Sequence, residues 1–134
     1  MEDLFSFEVE THSRAQMLDI TSRVREALRE SGTSRGTCMV YVPHTTAGIT
    51  INESADPSVV VDILEQMERL VPKGHYHHQE GNADAHIKAS MMGSSLTLLV
   101  DRSDLLLGTW QGIFFCEFDG PRRRRVMVKV MPGV

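Results

Sequence analysis

TWQGIFFCEFDGPRRRRVMVKVM, residues 109–131, reads as a strand, a turn and a second strand, and that reading decides the fold class. Residues 110–118 are rich in aromatic and branched side chains. Asp119-Gly120-Pro121 carries turn chemistry, and 122–131 returns as an alternating strand. Further strands read at 95–101 and 104–107. Consecutive strands joined by tight turns pair antiparallel. The expectation is therefore an α+β fold, with antiparallel sheets packed against two main helices and a short third one, rather than a doubly wound parallel sheet.

Working outward, residues 4–10 alternate Leu4, Ser6 and Glu8 against Phe5, Phe7 and Val9, a first strand. Residues 17–30 place Ile20, Val24, Ala27 and Leu28 on one helical face, with Ser31-Gly32 as the stop. GTCMVYV (36–42) is a continuous apolar run that suggests a central strand covered on both faces. Another strand follows at 48–53. Asp56-Pro57 then starts a helix that ends before Pro72, with Asp as N-cap and Pro at the first helical position. Residues 72–82 have no period and read as a loop, and 83–92 as a short helix ended by Gly93. No repeat or linker divides the chain, so residues 1–134 form one domain.

The net charge of -4 argues against a general nucleic-acid binder. No apolar run approaches ~18 residues, and the N-terminal segment lacks the pattern of a secretory leader, so no membrane attachment is expected. Cys38 and Cys116 sit far apart in apolar runs. They read as reduced, buried thiols of a cytoplasmic protein, although pairing stays open.

The chemistry concentrates in three places. His44 follows Pro43 in VPHTTAGITINE, where alternation sets a polar row, including Thr46, Thr50 and Asn52, beside an apolar one. His78 and His86 flank GNADA, with Asp84 and Lys88 as an i,i+4 pair. Three imidazoles from separate elements can hold a Zn-like ion while leaving a position open; the alternative is surface or capping histidines. In the third place, alternation separates Gln111 and Glu117 from an apolar set of Trp110, Phe114, Cys116 and Phe118 that faces a core. Glu117 is then exposed at an edge, paired with a cation, or functional as a base or orienter. In the arginine run, alternation turns Arg122 and Arg124 one way and Arg123 and Arg125 the other. One pair is available to phosphate oxygens, with a solvated hairpin arm as the default reading.

PHTTAGITINE (43–53), Asp56-Pro57, Tyr76 followed two residues on by His78, GNADAHIKASMMGSSL (81–96) and GTWQGIFFCEFDGPRRRR (108–125) together resemble the YjbQ family. The resemblance implies a compact α+β homotrimer. Its pocket would be built around His44, His78 and His86 as metal ligands, with a divalent, Zn-like ion more fitting than Mg. It also implies thiamine-phosphate synthase activity, a transfer that joins a pyrimidine methyl diphosphate to a thiazole phosphate and releases pyrophosphate. On that reading Glu117, Lys88 and Gln111 are catalytic, and Asn82, Asp84, Arg122 and Arg124 hold a small phosphorylated substrate. The alternatives are a metal-dependent hydrolase at the same histidines, or a non-enzymatic trimer that binds a metal or small ligand.

Overall fold

Alternating and helical apolar periods resolve into eleven elements in the computed structural model, which describes residues 4–133. Residues 1–3, the start of the segment read as lacking a leader, lie outside the described residues, as does 134. In chain order the elements are β1 Leu4–Glu10, β2 Gln16–Asp19, α1 Thr21–Ser31, β3 Gly36–Tyr41, β4 Ala47–Glu53, α2 Pro57–Leu70, α3 Ala83–Met92, β5 Ser95–Asp101, β6 Asp104–Leu105, β7 Gln111–Glu117 and β8 Arg123–Pro132. Every strand pairing is antiparallel. One sheet has the order β1-β8-β3-β5-β6, the other β2-β7-β4. The α+β class follows, with three helices in one compact domain.

The three-stranded sheet is buried on both faces, and alternation along β7 explains how. Ile113 and Phe115 point into a core shared with Val24 and Leu28 of α1 and with Val40, Val126 and Val128 of the larger sheet. Phe114, Cys116 and Phe118 point the other way, into a second core closed by Met67 of α2 and by Ala85 and Ala89 of α3. Both sets of β7 residues are therefore internal, not only the aromatic one. Both cysteines are buried and unpaired; burial pushes the Cys38 thiol up to about 11 and the Cys116 thiol to about 12.

Two sequence readings change. The helix expected over 17–30 begins only at Thr21, because Gln16–Asp19 pairs with β7 as β2, Met17 opposite Cys116 and Leu18 opposite Phe115. The Asp19 carboxylate then accepts from the Thr21 N–H at 2.9 Å, satisfying a free donor at the helix start. The second change concerns β3. It is central in its sheet, between β8 and β5, but only Cys38 and Val40 are buried on it; Met39 and Tyr41 face outward. Two smaller expectations also shift: Trp110, expected in the core-facing set, lies in the turn before β7 and is 62% exposed, and the strand expected over 104–107 is confined to Asp104–Leu105. The helix ends agree with expectation: Asp56 caps α2 by accepting from Ser58 N–H at 2.9 Å, and Gly32 closes α1 in the left-handed region at φ 68°. No helix among the described residues is long and apolar enough to cross a membrane.

Candidate functional site

Pro43 cannot continue a ladder, so the chain leaves β3 and turns before β4, and His44 stands in that turn. Its ring is fixed from outside: Nε2 accepts the backbone N–H of Arg125, on β8, at 2.9 Å. His86 lies in the first turn of α3. His78 lies in the loop before α3, its ring edge-on to His86 with centroids 5.1 Å apart and planes at 77°. All three imidazoles line one open cleft of about 480 Å³, with Asn82, Asp119, Arg122 and Arg124 around them. An adjoining hollow of about 490 Å³ shares His44, Thr45 and His86 and runs along α3 to Ser90 and Gly93. The combined space is of the size that small-molecule sites occupy.

Beneath the cleft lies a buried ion pair. Glu117 is 0% exposed and Arg124 6%. Arg124 donates through Nε to Glu117 Oε1 at 2.9 Å and through a terminal nitrogen to Oε2, and also reaches Thr46 Oγ1 at 2.8 Å. Thr11 Oγ1 donates to Oε1 at 2.7 Å and the Asp119 N–H to Oε2 at 3.0 Å. Burial alone would raise the Glu117 carboxyl, but the hydrogen bonds from Arg124, Asp119 and Thr11 outweigh it and hold the group below the usual range. With both oxygens occupied, Glu117 shapes the floor of the cleft and is not free to take a proton from a ligand.

At the rim, Arg122 clamps Asp119 through Nε to the carbonyl at 2.8 Å and through a terminal nitrogen to Oδ2 at 3.0 Å. Asn82 donates to the same Oδ2 at 2.8 Å, which fixes its amide orientation. That leaves Asn82 Oδ1 buried with no hydrogen-bond partner, an acceptor beside the histidines that calls for a donor. For His44, burial and then the nearby Arg124 charge lower the imidazole's affinity for a second proton. Because Nε2 accepts a hydrogen bond, the neutral ring carries its proton on Nδ1.

Other residues expected at the site lie elsewhere. Lys88 and Asp84 are buried within an ionic knot and line neither cleft. Lys88 Nζ bonds Glu68 Oε2 at 2.7 Å and Asp84 Oδ2 at 3.3 Å, and Arg14 grips both Asp84 oxygens at 3.0 and 3.1 Å. These charges tie α2, α3 and the segment before β2 together. Gln111 begins β7 at the end opposite Glu117, roughly 20 Å away at ~3.4 Å per residue, and its Oε1 caps the Gly108 N–H at 2.7 Å. Conversely, the sequence carried no signal for Thr11. Asp119 read only as a turn residue, yet it organises Asn82 and Arg122.

The expected metal site is not formed. Among the described residues no group of three His, Cys, Asp or Glu side chains is arranged to hold a metal ion. The chemistry of His44 explains part of this: ligation through Nδ1 would require moving the proton to Nε2, which already faces the Arg125 N–H donor.

Fold and cleft together define a two-sheet α+β protein with a histidine-lined cavity at one end. The family model described as UPF0047 protein YjbQ-like matches residues 5–133, and the chain belongs to that family. It is 52% identical to a UPF0047 protein of Methanocaldococcus jannaschii over 96% of this chain and 94% of the relative. It is 48% identical to the UPF0047 protein YugU of Bacillus subtilis, over 96% and 98% respectively. A crystal structure of an uncharacterized YjbQ/UPF0047 protein from Clostridium acetobutylicum superposes with a TM-score of 0.93 at 53% identity, covering 95% of this chain and 99% of that one. A YbjQ-like protein from Sulfolobus solfataricus, described as of unknown function, gives 0.93 at 31%, covering 97% and 96%.

These relatives correct the functional expectation. They are described as uncharacterised UPF0047 proteins, and none carries a thiamine-phosphate synthase or transferase description. With no metal-binding group among the described residues, the metal-dependent synthase and the metal-dependent hydrolase lose their centre, as does the metal half of the third alternative, a non-enzymatic protein that binds a metal or small ligand.

Proposed function

We propose that the cleft binds a small phosphorylated compound and acts on it by histidine acid–base chemistry. The observation that carries this reading is the convergence of His44, His78 and His86 on one open space of about 480 Å³. Imidazole is the side chain whose proton exchange falls near neutral pH, and three such rings at one surface make an acid–base centre. His44 supplies a Nδ1–H donor to an anionic oxygen. Arg122, half exposed, spends Nε and one terminal nitrogen on Asp119 and keeps the other terminal nitrogen uncommitted among the described residues. The orphaned Asn82 Oδ1 adds a demand for a donor, so the preferred ligand pairs its phosphate with a hydroxyl or amine.

The test is a titration of the ¹⁵N-labelled protein with inorganic phosphate and with glycerol phosphate. Shifts are expected at His44, His86, Asn82 and Arg122, and Arg122→Ala should weaken binding by about tenfold, ~1.4 kcal/mol. Saturable shifts confined to another surface, or none at millimolar ligand, reject the reading.

A further inference from the structure

The arginine run that reads in sequence as either a phosphate site or a solvated arm is divided by the start of β8. Arg123 turns outward, to Glu8 at 3.3 Å and Glu10 at 3.8 Å. The other three each reach the cleft by a different route. Arg122 stands at its rim with one terminal nitrogen uncommitted among the described residues. Arg125 reaches it through its main chain, whose N–H fills Nε2 of His44. Arg124 lies beneath, and besides gripping Glu117 it donates through a terminal nitrogen to Thr46 Oγ1 at 2.8 Å.

Thr46 has no role in the site as described so far. It is 6% exposed, yet it lines the cleft beside His44. Its position is fixed: the carbonyl accepts from the Phe118 N–H at 3.2 Å and from Arg124 at 3.4 Å. A threonine hydroxyl has one hydrogen to give, and its oxygen accepts. Here the oxygen accepts from the guanidinium, while the hydrogen is donated to no protein atom among the described residues. A buried polar hydrogen without an acceptor calls for a partner, and the only open space beside this one is the cleft.

His44 repeats the arrangement two residues earlier. Consecutive residues of β8, Arg124 and Arg125, occupy the acceptors of Thr46 and His44 from behind, and each side chain is left with a donor. The free Arg122 nitrogen adds another. The Glu117 carboxylate, which would repel an anion, is covered by Arg124, Thr11 and the Asp119 N–H. Donors fixed before a ligand arrives stabilise an oxyanion without reorganisation. The one unmatched acceptor nearby, Asn82 Oδ1, belongs to a different element, the start of α3.

We infer that Thr46 is a ligand-binding residue of this cleft, its hydroxyl donating to an oxygen of a bound phosphoryl group, and that Arg124 and Arg125 are positioning residues acting through Thr46 and His44. The inference rests on the phosphate reading and adds to it the group that holds the anion. It also gives the buried Glu117–Arg124 pair a task beyond packing: the pair aims a hydroxyl.

The test is an NMR titration of the labelled full chain with glycerol phosphate. In the wild type, saturable shifts are expected at His44. The Thr46 hydroxyl proton should move downfield and exchange more slowly with water. Thr46→Val keeps the shape and removes the hydroxyl. It should weaken binding by about tenfold, the loss of one hydrogen bond to a charged group, and Thr46→Ser should return to within about threefold of the wild type. Thr46→Ala repeats the comparison should Thr46→Val fail to fold, as judged by circular dichroism. A merely structural Thr46 predicts a lower urea midpoint for Thr46→Val with unchanged affinity and an unmoved hydroxyl proton. That result overturns the assignment of Thr46, while the His44 shifts keep the phosphate reading. Equally weak binding by the Val and Ser variants overturns it too, since packing and not the donor would then be at work. A wild type with no saturable shift at His44 removes both readings.

Discussion

His44 is held by the main chain of Arg125, whose N–H donates to Nε2 at 2.9 Å across 81 residues of sequence. The contact decides which nitrogen of the ring is available, while burial first and the Arg124 charge second lower the ring's affinity for a further proton. Its folded pKa therefore lies below the unfolded ~6.5. Below that value the unfolded chain takes up the proton more readily than the folded one, so this group's contribution to stability is full above pH ~6.5 and is lost as pH falls. A histidine NMR titration should give His44 a midpoint below ~6.5 and a Nδ1–H tautomer at pH 7.5. A midpoint above ~6.5, or an Nε2–H tautomer, contradicts the geometry.

Removing one partner from the Glu117–Arg124 pair strands the other in the interior. Glu117→Ala leaves the guanidinium, the Thr11 hydroxyl and the Asp119 N–H without their acceptor, and should destabilise the fold by about 3–5 kcal/mol. Glu117→Leu combined with Arg124→Met removes both charges. It should recover at least half of that loss in urea unfolding, because a buried pair replaced by apolar groups costs far less than a broken one. If the double variant is no more stable than Glu117→Ala, the pair is not the cause.

The legibility of this molecule in its sequence follows the range of its interactions. α2 and α3 were readable because their signals are local: Asp56-Pro57 before one, Gly93 after the other. β2 was not, because Met17 continues the helical stripe of Ile20 and Val24, and only pairing with β7 makes this segment a strand. The polar residues divide in the same way. That three distant histidines share a space stayed an open alternative to surface or capping roles until the family resemblance favoured it. Lys88 and Asp84 read as site residues because a sequence displays charges without partners, and the Arg14 that neutralises Asp84 stands 70 positions away. Glu117 read as an open choice between edge, pair and function, and a guanidinium seven residues on settles it as a pair.

The ionic knot has its own pH signature. Burial pushes the Asp84 carboxyl up, but hydrogen bonds from Arg14 and Lys88 overcome this and leave it at about 2. The folded value is depressed from ~3.9, so the stabilisation is fully present above pH ~4 and lost as pH falls through about 2. The shift corresponds to roughly 2 kcal/mol. Asp84→Asn should therefore cost about 2–4 kcal/mol at pH 7 and flatten the stability profile between pH ~4 and ~2. An unchanged acid limb would place the acid sensitivity in another carboxylate.

Gly48 on β4 joins fold to site. A β-carbon there would stand 2.7 Å from the carbonyl oxygen of Gly93 and 3.0 Å from Met92 Cβ, contacts the C-terminal end of α3 can relieve only by moving away. That approach also allows the Ile49 N–H to bond Gly93 O at 3.0 Å, anchoring the helix that carries His86 to the strand that follows His44. Gly48→Ala should cost about 1–3 kcal/mol in urea unfolding as an overpacked contact. It should also weaken phosphate binding by several-fold, since the histidines are drawn apart. Gly74→Ala meets nothing within 4 Å and serves as the matched control, with an expected change within about 0.5 kcal/mol. Equal effects from the two substitutions would mean that the close packing of α3 on β4 does not set the spacing of His44 and His86.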